Sequence, residues 1–345
     1  MYVSLFAAVL FLLGCEAKPP AAGAQPARAG APPAPAREQQ AAPRAQEPAG
    51  RTPQAAAPYT QQARPDVQKI SLCLELQPAR RELQLGEPLS VVASLINCSP
   101  SRRDVDDLLS PEFGFLQIWI QPPDGKELLY RPIARREGRG KGLRSLEAGE
   151  RTSVFVPVYA SADGWTITRP GRYRLRAQYS VDGGALESKP DYVTVTPPSG
   201  EADRYAANLM ISLEVARVLV GGRDDSGDAA KRLTAIVEKY PQSRLAPYAG
   251  VGLAIADSRD GFDPYTKTFR KGGCERAVDA LARAPEIADP SLASAGTAAW
   301  IRCLRQLGRD KEVNGAISRF LRAHPAAKDV ASLDQAFGFR RQEAR

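Results

Sequence analysis

The chain has 345 residues, 43% hydrophobic and 25% charged, with a formal net charge of +8. That length leaves room for two ordinary domains beside an N-terminal segment. Arginines spread along the chain carry the excess charge, so it describes a mildly basic surface and no nucleic-acid site. One histidine among 345 residues excludes a histidine metal cluster, and no GxSxG, phosphate-binding loop or dinucleotide fingerprint occurs. The expectation is a protein that is not an enzyme and needs no cofactor.

An apolar run from Val3 to Leu13 opens the chain. A permanent membrane helix needs about 20 apolar residues, so this run suits the core of a signal peptide instead. It closes on Leu12-Leu13-Gly14-Cys15, which resembles the lipobox of bacterial lipoproteins. The resemblance implies a signal peptide over residues 1–14 and lipidation of Cys15, and Glu16 after that cysteine implies sorting to the outer membrane. Membrane lipid would then be the first partner, because two or three acyl chains anchor stably at about 0.8 kcal/mol per buried methylene. The expected location is the cell envelope, facing the periplasm or the cell surface.

Residues 15–66 are almost entirely Ala, Pro, Gln, Arg and Gly, as in Ala31-Pro32-Pro33-Ala34-Pro35. Such a segment buries too little apolar surface to offset backbone entropy and is expected to be a disordered linker. Fully extended, its roughly 50 residues reach about 150 Å at about 3.1 Å each.

Around Val67 the pattern turns to alternation, with Ile70, Leu72, Leu74 and Leu76 on one face and Ser71, Cys73 and Glu75 on the other. Further strands are expected at 89–98, 115–120, 127–131, 152–159, 172–180 and 192–195. Pro123-Asp124-Gly125 and Val181-Asp182-Gly183-Gly184 supply hairpin turns. Short strands at this spacing predict an antiparallel β-sandwich over residues 67–198. Arg169-Pro170-Gly171-Arg172-Tyr173 and Gly86-Glu87-Pro88-Leu89 make the region resemble immunoglobulin-like domains. The resemblance implies a corner in which the Tyr173 hydroxyl bonds back to upstream backbone.

With Cys15 set aside for lipid, four cysteines remain. Pairing Cys73 with Cys98 and Cys274 with Cys303 keeps both bridges inside single predicted domains, as suits an exported chain. The alternative is four buried thiols.

After Pro197-Pro198-Ser199-Gly200 the period shifts to about 3.6 and Ala becomes common. Helices are expected at 201–220, 227–240, 243–259, 273–284, 290–308 and 310–324, with a short one after Lys328. The turn Tyr240-Pro241-Gln242-Ser243 between two amphipathic stretches makes residues 201–345 resemble the tetratricopeptide-type helical hairpins of envelope lipoproteins. The resemblance implies three stacked repeats and a concave wall for proteins or peptides. A closed helical bundle is the alternative.

Five smaller features are weighed as candidate sites. Arg131, Arg135, Arg136, Arg139, Lys141 and Arg144 with interleaved glycines form a basic loop that would rest on an anionic envelope surface. Phe113, Phe115, Gln117 and Trp119 alternate as one inward strand face. Exposed Trp119, Trp165 or Trp300 would stack on sugar rings. Asp257, Asp260 and Asp263 lack the spacing and terminal Glu of a calcium loop, and His324 reads as a turn residue before a proline. The expected function is protein or peptide binding as a scaffold or assembly factor, the alternatives being an accessory subunit or inhibitor of an envelope protease and peptidoglycan or carbohydrate binding.

Overall fold

In the computed structural model the chain forms strands up to Thr196 and helices from Glu201 onward, with one small hairpin among the helices. The structure describes residues 72–106, 108–134, 143–181, 184–221, 227–263, 267–330, 333 and 337. The expected signal peptide, Cys15, the linker and the centre of the basic loop all lie outside the described residues.

The strands are β1 (Leu72–Pro78), β2 (Glu82–Gln84), β3 (Val91–Asn97), β4 (Arg103–Asp106), β5 (Leu116–Gln121), β6 (Leu128–Leu129) and β7 (Leu143–Leu146). They continue with β8 (Arg151–Val156), β9 (Ala160–Ser161), β10 (Gly164–Trp165), β11 (Gly171–Val181), β12 (Gly184–Glu187) and β13 (Asp191–Thr196). One sheet runs in the order β1-β3-β8, all antiparallel. A larger sheet runs β2-β13-β11-β5-β6, with β12 also on β11 and β2 parallel to β13.

Period-two burial follows the side-chain alternation of strands. Leu74 and Leu76 on β1, Leu116, Ile118 and Ile120 on β5, and Tyr173, Leu175 and Ala177 on β11 are buried in one cluster. Each Leu or Ile so buried contributes about 1.5–3 kcal/mol. The inward face of β5 corrects the sequence expectation, because Phe115 is exposed and Trp119 lies on the outer face. Three alternate aliphatic positions, Leu116, Ile118 and Ile120, fill the interior, and the period of two sends the aromatic set outward.

Tyr173 closes the corner before its strand, its hydroxyl donating to Arg169 O at 2.9 Å. Cys73 bonds Cys98 at an S–S distance of 2.03 Å, and Cys274 bonds Cys303 at 2.07 Å.

The helices are α1 (Glu201–Met210), α2 (Leu213–Gly221), α3 (Asp228–Lys239), α4 (Ala246–Asp257), α5 (Cys274–Arg283), α6 (Pro290–Gln306) and α7 (Val313–Ala323). Between α4 and α5 lie β14 (Gly261–Asp263) and β15 (Thr268–Arg270), a hairpin missing from the sequence reading. The expected helix over 201–220 breaks at Ile211-Ser212. Ser212 Oγ accepts the Val215 N–H at 3.2 Å and so starts α2 afresh, as an N-capping serine does. Gly252 lets α4 approach α2 closely, since a Cβ there would meet Leu219 Cδ2 at 2.7 Å.

One apolar cluster runs through both parts of the chain, joining Leu83, Leu89 and Val158 to Ala207, Val215 and Tyr248. Contacts of α2 with β9 and β10 and of α6 with β8 carry it across. Polar groups lock the same seam. Asp203 accepts from Ser199 Oγ at 2.6 Å, Ser243 Oγ at 2.7 Å and Arg244 N at 3.0 Å. Buried Glu87 accepts the Gln84 N–H at 2.9 Å and pairs with Arg80 at 3.1 Å and Arg244 at 3.7 Å.

Candidate protein-binding groove

β1 is the last strand of its sheet, so one of its edges has no neighbouring strand among the described residues. The direction in which its backbone points follows from two hydrogen bonds. Ala79 N donates to Ser90 O at 2.9 Å and Asn97 N donates to Glu150 O at 3.0 Å. In antiparallel pairing the hydrogen-bonded positions alternate. Ala79, Gln77, Glu75 and Cys73 therefore bond to β3, and the N–H and C=O groups of Leu72, Leu74 and Leu76 point to the open edge. Pro78 takes the next outward position, where a missing N–H costs no ladder bond.

Along this edge runs a groove of about 710 Å³. Every residue from Leu72 to Gln77 lines one side, and Leu186, Glu187, Lys189, Pro190 and Asp191 line the other. Leu72 and Leu186 make its apolar wall. Its rim carries both signs of charge, with Arg81 bonded to Asp191 at 3.0 Å and Glu75 facing Arg151 at 3.8 Å. The Cys73–Cys98 bridge ties the start of β1 to the end of β3 and keeps the edge in place. A row of outward donors and acceptors beside an apolar wall is what an extended peptide needs to add as a further strand.

The helical hairpins offer less room. A cavity among α5, α6 and α7 measures about 60 Å³ and touches Trp300, Arg319, Phe320 and His324, which is space for a few waters and not for a peptide. His324 caps α7 and packs on Phe320 at 5.1 Å, and burial holds its imidazole below the usual histidine range.

The tryptophans are covered. Trp165 is 8% exposed and lies 5.2 Å from the Tyr159 ring. Arg176 sits 4.1 Å over the Trp119 ring, and Arg319 lies 5.8 Å from Trp300. Stacking on a sugar face would first have to displace these groups. Asp257 pairs with Arg276 at 3.7 Å, and Asp260 Oδ1 accepts the Gly272 N–H at 2.7 Å. No group of three or more metal-ligating side chains occurs among the described residues. At the ends of the basic loop Arg131 pairs with Asp163 at 3.0 Å and Arg144 bonds Thr152 at 3.2 Å, while Arg135, Arg136, Arg139 and Lys141 lie outside the described residues. Among the described residues no helix is long and apolar enough to cross a membrane.

Strand β1 is legible in the sequence, but its open edge is not, and no local pattern marks Lys189 to Asp191 as its neighbours. Pro78 closing an otherwise regular strand is the available signal.

No family model and no curated protein matches the chain. Solved structures match it in part. A β-glucosidase from Erythrobacter marinus is 18% identical with a TM-score of 0.21, covering 36% of this chain and 15% of its own. An alkylpurine DNA glycosylase from Pseudomonas fluorescens is 14% identical with a TM-score of 0.23, covering 36% and 30%. The sporulation control protein Spo0M from Bacillus subtilis is 9% identical with a TM-score of 0.23, covering 41% and 54%. The chain thus spans 15% to 54% of these proteins' lengths, and the likenesses carry no functional argument.

Proposed function

We propose that the chain is a lipid-anchored envelope protein, not an enzyme, that holds an extended segment of a partner protein as an added strand along β1. The open edge of Leu72, Leu74 and Leu76 beside a groove of about 710 Å³ carries this reading. The lipobox residues Leu12 to Cys15 support the anchor, and two disulfides suit an oxidising compartment. An immunoglobulin-like sandwich fits the two sheets and the Tyr173 corner, which such domains use to brace a penultimate strand. Tetratricopeptide-like hairpins fit the succession from α3 to α7, with the turn Tyr240–Ser243 joining α3 to α4.

A photoreactive residue placed at Gln77 or Lys189 in the native host tests the reading, with Lys231 on the exposed face of α3 as the control. The two groove positions should yield an adduct whose crosslinks map to one extended segment of one protein. Equal labelling from Lys231, or no adduct from either groove position, overturns it. The anchor is tested separately by acyl mass on Cys15 and by partition into detergent, and recovery in the aqueous phase overturns that part alone.

A further inference from the structure

A cavity of about 260 Å³ opens where α4 ends, with Ser258, Arg259, Arg302 and Gln306 among its walls. Arg259 and Arg302 both line it, near enough that the Arg259 charge acts on Arg302, and Arg259 Nη1 donates to Gly221 O at 2.5 Å while the rest of its guanidinium has no partner among the described residues. Among the described residues neither arginine forms an ion pair. Arg302 Nη2 donates to Ser258 Oγ at 2.6 Å, yet its Nε is buried with no acceptor. Ser258 Oγ in turn donates to Ile255 O at 2.6 Å, which fixes the hydroxyl and hence the arginine. Asp260 also lines the cavity, with one carboxylate oxygen held by the Gly272 N–H at 2.7 Å.

Two further features add positive potential. Helix α5 begins at this wall with Cys274, and its N-cap Gly273 offers no side-chain oxygen to the first-turn N–H groups. The Cys274–Cys303 bridge clamps that turn to α6, beside Arg302. A half-buried guanidinium beside a second one, with a donor unmet, is a costly arrangement, and the Asp260 carboxylate in the same wall bonds the Gly272 N–H and forms no ion pair with either arginine among the described residues. An anion in the cavity supplies the counter-charge.

We propose that this cavity binds a small oxyanion, a carboxylate or phosphate group, between Arg259 and Arg302 and against the first turn of α5. Arginine is suited to this because its planar fork matches two oxygens at once. The site is independent of the β1 groove, and neither test bears on the other.

Calorimetric titration of the purified protein with sodium phosphate, and separately with sodium malonate, at fixed ionic strength tests the proposal. Saturable binding of at least one probe is expected, the tighter one naming the group. Arg302→Gln should weaken it about tenfold or more, the scale of a charge-assisted hydrogen bond. Because Arg302 is half-buried, the exposed Arg259→Gln is the second variant, with its fold checked by circular dichroism. It should weaken the same probe to a similar degree. No saturable binding of either probe, or unchanged affinity in folded Arg259→Gln, overturns the site.

Discussion

Ser90 and Asp289, 199 positions apart in the chain, are joined in the interior by a hydrogen bond of 2.8 Å from the serine hydroxyl to Oδ1. The same oxygen accepts the Leu292 N–H at 2.9 Å and caps α6, so one carboxylate starts a helix and fastens it to the turn before β3. Its other oxygen is buried without a partner. Burial pushes the Asp289 carboxyl above the usual aspartate range, against the pull of the Leu292 and Ser90 hydrogen bonds. A carboxyl raised in the folded state contributes stability that is whole below its unfolded value and is lost as pH rises through its folded value. Asp289→Asn keeps an accepting oxygen and has no proton to lose. Its melting temperature should therefore gain on wild type as pH rises from about 4 to 7, starting at the unfolded value of an aspartate. Parallel melting curves across that range would refute the linkage. Asp289→Ala removes cap and acceptor together and should cost about 1–3 kcal/mol near pH 4, before the wild-type carboxyl loses its proton.

Tyr173 makes a simpler case. The residue is 1% exposed, its hydroxyl donates to Arg169 O at 2.9 Å and accepts the Arg169 N–H at 3.3 Å. Tyr173→Phe keeps the ring in the core and deletes both bonds. The expected loss is about 1 kcal/mol, seen as a lower urea midpoint at unchanged slope. A changed slope would mean that the corner shapes the unfolded state or the cooperativity of folding.

What could be read from the chain depended on how local the cause was. Leu74 and Leu76 declare their face by alternation, and Tyr173 stands just after a Pro-Gly turn, so strand and corner were both legible. Ser243 likewise follows a Tyr-Pro turn and shapes the entry to α4, its oxygen accepting the Leu245 N–H at 3.1 Å just before the helix begins. The break at Ile211-Ser212 was hidden, because the apolar period continues across it and only the Ser212 hydroxyl resets the helix. On β5 both faces are apolar enough to pass for the core. The choice falls to Leu116, Ile118 and Ile120 through pairing with β11, which no window of β5 alone contains. An open edge is a still more distant property. It depends on which strand is missing beside β1, and therefore the groove became visible only in the assembled sheets.

The outer face of β5 carries its own prediction. Glu127 accepts from Arg176 Nε at 2.8 Å and Nη2 at 2.6 Å, and the guanidinium so held lies 4.1 Å over Trp119. The hydrogen bond from Arg176 holds the Glu127 carboxyl below the usual glutamate range. A carboxyl lowered in the folded state contributes stability that is present above its unfolded value and lost as pH falls through its folded one. The cover over Trp119 should thus persist from neutral pH down past about 4, where a free glutamate is half protonated. Arg176→Ala should shift tryptophan emission to the red and raise acrylamide quenching at pH 7. Wild-type emission should stay constant down to that pH. An unchanged spectrum in the variant would mean that other groups shield the ring.

The two bridges make the last prediction, because each restrains something the proposed sites need. Cys73–Cys98 has a Cα separation of 5.9 Å and a sequence separation of 25, and Cys274–Cys303 has 5.0 Å and 29. Loops of about 25–30 residues lose chain entropy worth about 3–4 kcal/mol when closed, so removing either bridge should lower stability by about 3 kcal/mol. Serine at both Cys274 and Cys303 should also weaken oxyanion binding, since the first turn of α5 is no longer clamped beside Arg302. Serine at Cys73 and Cys98 should instead leave oxyanion affinity intact and lower crosslinking from Gln77, because only the edge of β1 is freed. Denaturation of the two double variants, followed by the two binding assays, separates these effects. Equal damage to both assays by either pair would mean that each bridge holds the whole fold and neither holds its own site.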